Sequence, residues 1–316
     1  MNTEFYFAPL EGITGYIYRS AHHEFFPGAD KYFTPFLAPN QNRALSPKEI
    51  KDILPEHNKG MYVVPQILTN QAEYFIRASK ELKEKYGYEE VNLNLGCPSG
   101  TVVTKGKGAG FLARREELDI FLNEIFEKTD VKISVKTRIG MEAPEEFYDL
   151  IEIFNRYPLH ELIIHPRVRE DYYKNTPDWK IFADAVRMSS NPLCYNGDIF
   201  TIWDYEHFRQ EFPDVGKVML GRGMLANPAL IDRIKEKEEK GSAVYIDKET
   251  LKAFHDRLYA GYKEVLSGDI NVLFKMKEIW FYMIFLFTDH EKYMKKIKKA
   301  SRLCDYDEII RNLFRE

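Results

Sequence analysis

At 316 residues and a formal net charge of −4, the chain is too long for one small core, and it has no global cationic field that would suit a nucleic-acid partner. Its three cysteines, Cys97, Cys194 and Cys304, lie far apart with no metal-ligand spacing. That excludes a disulfide scaffold and a zinc site and points to a reducing, cytoplasmic setting with no metal.

β-type runs recur along the chain at a fairly regular interval: 3–10, 31–37, 61–68, 91–96, 131–138, 161–167, 192–198 and 217–223. Segments of helical periodicity stand between most of them, at 71–87, 116–129, 144–157 and 178–190. The stretch 39–60 is polar and carries Pro39, Pro47 and Pro55, so it reads as a long loop with a short helix. Strands alternating with helices imply parallel βαβ units, and eight of them at this length imply an α/β fold, a (β/α)8 TIM barrel, over an open doubly wound sheet. After residue 240 the strands stop, and three or four helices are expected. The division is therefore a barrel over 1–240 and a C-terminal all-helical domain over 241–316. The apolar run 279–287 is too short to span a bilayer and reads as a buried helix. No leader pattern opens the chain, and no membrane association is expected.

In such a barrel, active sites form at the C-terminal ends of the strands. There the sequence places Pro9, Gln66, Asn94, Cys97, Lys136, Arg138, His165, Arg167, Asn196, Asp198 and Arg222. The opposite strand ends are read as carrying no comparable set. In 91–98, VNLNLGCP, Asn94 and Cys97 converge where the strand ends, with Gly96 permitting the turn and a glycine-rich loop following at 100–110. Cys194 and Cys304 are assigned to packing. Strands seven and eight end in NGD (196–198) and GRG (221–223), the usual place for a phosphate in these barrels, which implies a phosphate-bearing cofactor. The tail is basic where the rest is acidic. Residues 292–302 hold six Lys or Arg and no acid, a patch that suits phosphates or else a solvated helix face.

These segments together resemble the dihydrouridine synthases, flavoenzymes that reduce uridine in RNA. The resemblance is carried by 8–19, 64–68, 91–112, 134–140, 163–179, 195–200 and 218–230, in the family's order. It implies FMN as cofactor, NADPH (or NADH) as reductant, and tRNA, or else rRNA, as the partner of a monomeric enzyme whose helical domain helps to hold RNA. By resemblance, Pro9 and Leu10 line the flavin, and Gln66, Lys136 and His165 contact its ring. Asn196, Gly197, Asp198, Gly221 and Arg222 hold its phosphate. Cys97 is the general acid, Asn94 bonds the flipped uracil, and Arg167, Arg169 and Tyr173 lie near the target nucleotide. The chain departs from the family pattern at Gly100, Pro166, Val168 and in LEGIT (10–14). Two other readings remain at this level: an FMN barrel acting on a free pyrimidine such as dihydroorotate, and an RNA-binding factor without catalysis.

Overall fold

A computed structural model describes residues 3–243 and 246–315. Nine strand segments make one sheet: β1 (Glu4–Phe7), β2 (Lys31–Phe33), β3 (Val63–Val64), β4 (Gln66–Ile67), β5 (Glu90–Leu95), β6 (Lys132–Arg138), β7 (Glu161–His165), β8 (Leu193–Tyr195) and β9 (Lys217–Leu220). Their order is β3-β2-β1-β9-β8-β7-β6-β5-β4, and every pairing is parallel. Segments β3 and β4 flank Pro65, so they are the two halves of one strand and the sheet closes on itself as a TIM barrel. Proline has no N–H to donate. The strand pairs with β2 before Pro65 and with β5 after it, where the Pro65 carbonyl accepts from the Asn92 N–H at 2.9 Å.

The strands alternate strictly. Their helix-facing side is apolar, formed by odd positions in β1, β5 and β6 (Phe5, Phe7, Val91, Leu93, Leu95, Ile133, Val135) and by even ones in β7 (Leu162, Ile164). The helix Ala72–Tyr86 ends on Gly87 at φ 77°, and Pro47–Ile53 opens on a capping box between Ser46 and Glu49, the short helix expected within 39–60. Past the helix Leu230–Lys240 no strand occurs among the described residues. The helices Lys248–Val265, Asp269–Met283, His290–Lys299 and Leu303–Arg315 follow. They rest on the barrel through the helix Tyr16–Phe25, where Tyr18 and Phe254 meet edge to face at 5.7 Å, and through the short helix Arg222–Ala226.

Inside the barrel the side chains form three layers. The middle is largely apolar, with Tyr6, Phe33, Val64, Ile163, Cys194 and Met219. The mouth is polar, as expected. The floor is not empty of polar groups, which corrects the sequence reading. Lys31, Glu90, Glu161 and Lys217 open four strands and point inward as a buried ionic cluster. The Lys31 ammonium lies 3.0 Å from Glu90 and 3.2 Å from Glu161, and Lys217 lies 2.6 Å from Glu161. The Tyr6 hydroxyl donates to Glu161 at 2.7 Å. A charge on the first residue of a strand looks like a solvated end in one dimension. Only barrel closure brings the four together.

The apolar run 279–287 also divides. Trp280, Met283 and Ile284 are buried, whereas Phe281 and Phe285 face solvent. Cys304, assigned to packing, is exposed, while Cys194 is fully buried. No described helix is long and apolar enough to cross a membrane.

Burial alone pushes the Glu161 carboxyl up, but the bonds from Lys217, Lys31 and Tyr6 outweigh it and hold it below its ordinary value. A depressed carboxylate stabilises the fold above its unfolded value, and that stability drains away as pH falls through the folded one. Glu161→Leu should cost about 3–5 kcal/mol, because it takes the carboxylate from Lys217 and leaves the buried Lys31 with Glu90 alone. Urea titrations at pH 7 and at pH 3 test this: the deficit should be large at pH 7 and shrink in acid. An equal deficit at both would remove the ionic explanation.

Candidate active site

Asn94 faces the barrel interior near the end of β5, and its side chain shapes the turn that follows. Its Oδ1 accepts the backbone N–H of Gly96 at 3.0 Å and of Cys97 at 2.9 Å. This is the convergence of Asn94 and Cys97 read from their spacing. Beyond Cys97, the chain returns so closely that a Cβ on Gly108, whose φ is 56°, would sit 2.9 Å from the Cys97 Cβ. Ala109 N–H then bonds the Cys97 carbonyl at 3.1 Å. The glycines of the following loop therefore clasp the cysteine.

Asn94 is itself held from below. Its Nδ2 donates to Gln66 Oε1 at 2.6 Å, and Gln66 Nε2 donates to Asn92 Oδ1 at 2.8 Å. Asn92 Nδ2 donates to Ser134 Oγ at 3.0 Å, and Ser134 donates to Glu90 at 3.1 Å. Glu90 belongs to the floor cluster. Every donor in this chain points down toward a carboxylate, so each bond polarises the next. Asn92 and Ser134 were absent from the sequence-based site. Their signal was present, since they are the polar inward positions of two otherwise apolar strands.

Burial is the main influence on the Cys97 thiol and pushes it above its ordinary value. The Ser99 N–H pulls the other way, Glu11 adds to the rise, and Arg138 and Lys136 oppose it. Lys136, in register with Asn94 on the neighbouring strand, has no hydrogen-bond partner among the described residues. Burial first, then Arg138, brings its ammonium down to about 8. His165 is buried and held well below its ordinary value by burial and by the cations Arg138, Lys136, Arg167 and Arg222, so it is neutral. Arg167 can only donate, so its contact at 3.1 Å makes His165 Nε2 the acceptor and leaves the proton on Nδ1.

Two arginines share one carboxylate on the far wall. Asp198 pairs with Arg167, and accepts from Arg222 at 2.5 Å. Asp198 therefore acts here as an arginine holder. Arg222 also lies 4.3 Å over the Tyr173 ring, which stacks on His165 at 5.9 Å. Asn196 Nδ2 bonds the Met219 carbonyl at 2.8 Å and ties β8 to β9. A Cβ on Gly197 would come within 2.0 Å of the Tyr195 hydroxyl, and one on Gly223 within 2.0 Å of the Ile199 carbonyl, so those glycines serve loop packing. Gly221 differs: its nearest neighbours would be Ala8 at 3.4 Å and Leu10 at 3.9 Å. The backbone N–H groups of Gly197, Asp198, Gly221 and Arg222 reach no acceptor among the described residues. Unspent N–H groups beside an arginine fit a phosphate.

Pro9 and Leu10 sit half-buried after β1, where the Leu10 N–H bonds Thr14 Oγ1 at 2.8 Å. Arg169 leans over Tyr172 at 5.2 Å with its Nε buried and unpartnered. Arg138 is a staple rather than a ligand: its guanidinium bonds the carbonyls of Gly96 (3.0 Å), Val168 (2.8 Å) and Tyr172 (2.7 Å). Tyr172 pays for that bond with a positive φ of 50°. Among the described residues, no group of three His, Cys, Asp or Glu is placed to hold a metal.

Residues 6–309 match the sequence pattern of the dihydrouridine synthase (Dus) family. A probable tRNA-dihydrouridine synthase 1 of Synechocystis sp. is 24% identical over 263 residues, spanning 81% of this chain and 72% of that protein. A probable tRNA-dihydrouridine synthase of Staphylococcus aureus (strain COL) is 28% identical over 254 residues, 77% of this chain and 74% of its own. Among solved structures, histamine dehydrogenase from Rhizobium sp. 4-9 superposes with a TM-score of 0.54 at 13% identity, over 75% of this chain and 46% of that one. That likeness speaks for the barrel fold.

The raised thiol has a direct readout. In a Cys304→Ser background, iodoacetamide should alkylate Cys97 slowly at neutral pH, with half-maximal reactivity above pH 9.0. Fast alkylation at pH 7 would mean a thiolate and would contradict the burial argument.

Proposed function

Because the chain belongs to the dihydrouridine synthase family, we propose that it reduces the C5–C6 bond of specific uridines in tRNA, with FMN as cofactor and NADPH as reductant. The observation that carries the chemistry is a clasped thiol at the end of β5, its turn held by Asn94, with the β6 cations Lys136 and Arg138 acting on it.

The residues present fit FMN. Arg222, oriented by Asp198, and the free N–H groups of 197, 198, 221 and 222 would hold its phosphate, with Asn196 bracing the two loops. Pro9 and Leu10 would line the ring, and Gln66, Lys136 and His165 would meet its polar edge. The bound, reduced flavin supplies a hydride to uracil C6.

The rest of the chemistry falls to this chain's own side chains. Cys97 Sγ donates its proton to C5. A thiol whose value lies above neutrality keeps that proton until it is needed, and the thiolate left behind recovers one from solvent. Lys136 is charged below about pH 8 and stabilises negative charge as it develops on the acceptor's carbonyl. Asn94 spends its Oδ1 on the turn and one N–H on Gln66, so it keeps one N–H for the uracil. The base must leave its stack to reach this depth, a cost of a few kcal/mol. Arg167, Arg169 and Tyr173 stand on the loop it would pass.

Cys97→Ala should retain flavin and accept electrons from NADPH at a near-normal rate. Its reoxidation by tRNA should slow about 10²–10⁴-fold, the usual worth of a positioned acid. Stopped-flow reoxidation at the wild-type rate, with dihydrouridine formed, would show that the proton comes from elsewhere. Arg222→Ala should release flavin during purification, through loss of a charge-assisted contact worth about 1.5–3 kcal/mol. A variant that stays fully loaded would move the phosphate away from this wall.

A further inference from the structure

The helix Asp269–Met283 and the turn after it carry more large apolar surface than packing uses. Val272, Leu273, Met276, Ile279, Trp280 and Met283 already fill the core on one side. Phe274 (59% exposed), Phe281 (54%) and Phe285 (65%) stand outside it, in one row along the other. At about 1.5 Å rise per residue, seven and then four positions apart, the rings step along roughly 10 and 6 Å.

The two edges of this row have different neighbours. On one, Lys275 bonds the Gly12 carbonyl at 2.5 Å, and the Tyr282 hydroxyl lies within electrostatic reach of Tyr173 and Arg222 at the barrel mouth. On the other, Lys277 bonds the carbonyls of Lys298 (2.9 Å) and Ala300 (2.5 Å), at the end of the basic helix His290–Lys299. Lys277 also stands 6.0 Å over the Phe274 ring. Lys292, Lys295, Lys296, Lys298 and Lys299 are all exposed on that helix.

We propose that the Phe274–Phe281–Phe285 row is a stacking platform for unpaired nucleotides of the RNA substrate, between the active-site mouth and the lysines that hold its backbone. This rests on the RNA-modifying reading above. The occupant follows from the surroundings. An apolar row bordered by ammonium groups suits flat bases on a polyanionic backbone, because every base offers a π-face and every phosphate a charge. A second copy of the chain would bring the same lysines against each other.

The test uses the full-length, flavin-loaded protein with Phe274→Ala, Phe281→Ala and Phe285→Ala, all surface changes away from the flavin ligands. The probes are an unmodified tRNA transcript and a short single-stranded RNA carrying 2-aminopurine, each titrated at several KCl concentrations. Each variant should bind at least about fivefold more weakly and lose quenching of the 2-aminopurine, with the salt slope unchanged. The quadruple change of Lys295, Lys296, Lys298 and Lys299 to Gln should do the reverse, flattening the slope and keeping the quenching. Wild-type affinity and quenching in all three Phe variants would overturn the platform alone. A wild type that sediments as a dimer dissolved by these substitutions would also overturn it, giving the row to a second copy. A wild type that binds neither RNA would overturn the RNA-modifying reading and the platform with it.

Discussion

The hydrogen-bond chain from the Glu90 carboxylate up through Ser134, Asn92, Gln66 and Asn94 to the Cys97 backbone sets the geometry on which the barrel's mouth depends. Its members come from β4, β5 and β6 and lie inside a barrel whose remaining middle layer is apolar. An amide side chain there has few alternatives. Left without its partner, a buried donor or acceptor costs about 1–3 kcal/mol. Flipping any one amide would set two donors or two acceptors face to face along the chain. The orientation of Asn94 is therefore decided at the floor, by the carboxylate that Lys31 pairs with, as much as at the mouth.

A second constraint is charge at the opposite wall. The whole chain carries −4, yet its mouth gathers Lys136, Arg138, Arg167 and Arg222 about His165, with Asp198 pairing two of them. Such an excess is tolerable because each cation is tied differently. Arg138 spends its donors on three carbonyls, Arg167 and Arg222 share Asp198, and Lys136 gives way by losing affinity for its proton. His165 completes the arrangement by staying neutral. Net charge is thus a poor guide to what this site attracts. The local field is positive and partly desolvated, where a charge counts for more than it would in water.

Much of this was legible in one dimension. β-type runs at a regular interval between helical segments located the strands, and polar residues at their C-terminal ends located the mouth, because both follow from local geometry. The pairing of Asn94 with Cys97 was legible for the same reason, lying within a single turn. The floor cluster was not. Lys31, Glu90, Glu161 and Lys217 are separated by 56 residues or more in every case, and each alone looks like an ordinary strand-opening charge. Asp198 was read as a phosphate ligand because its loop position suggested one, and its part in holding two arginines depends on distances no sequence pattern encodes. The exposed Phe281 and Phe285 were hidden by composition. A continuous apolar run has no periodicity to show which side faces solvent.

These parts connect through the first loop of the barrel. Residues 8–15 line the mouth at Pro9 and Leu10, turn at Gly12 with φ 79°, and there receive Lys275 from the helical region. Tyr262 reaches the neighbouring Ile13 carbonyl at 3.5 Å, and Arg257 pairs with Glu24 on the helix that this loop begins. The helical region is therefore fastened to the segment that borders the barrel mouth. The helix Asp269–Met283 also packs on the short helix Arg222–Ala226, so it borders the mouth from two sides. The closed barrel resists deformation because its interior is filled and its chain of amides has only one satisfied arrangement. The first loop is where the helical region and the barrel mouth share a stretch of backbone.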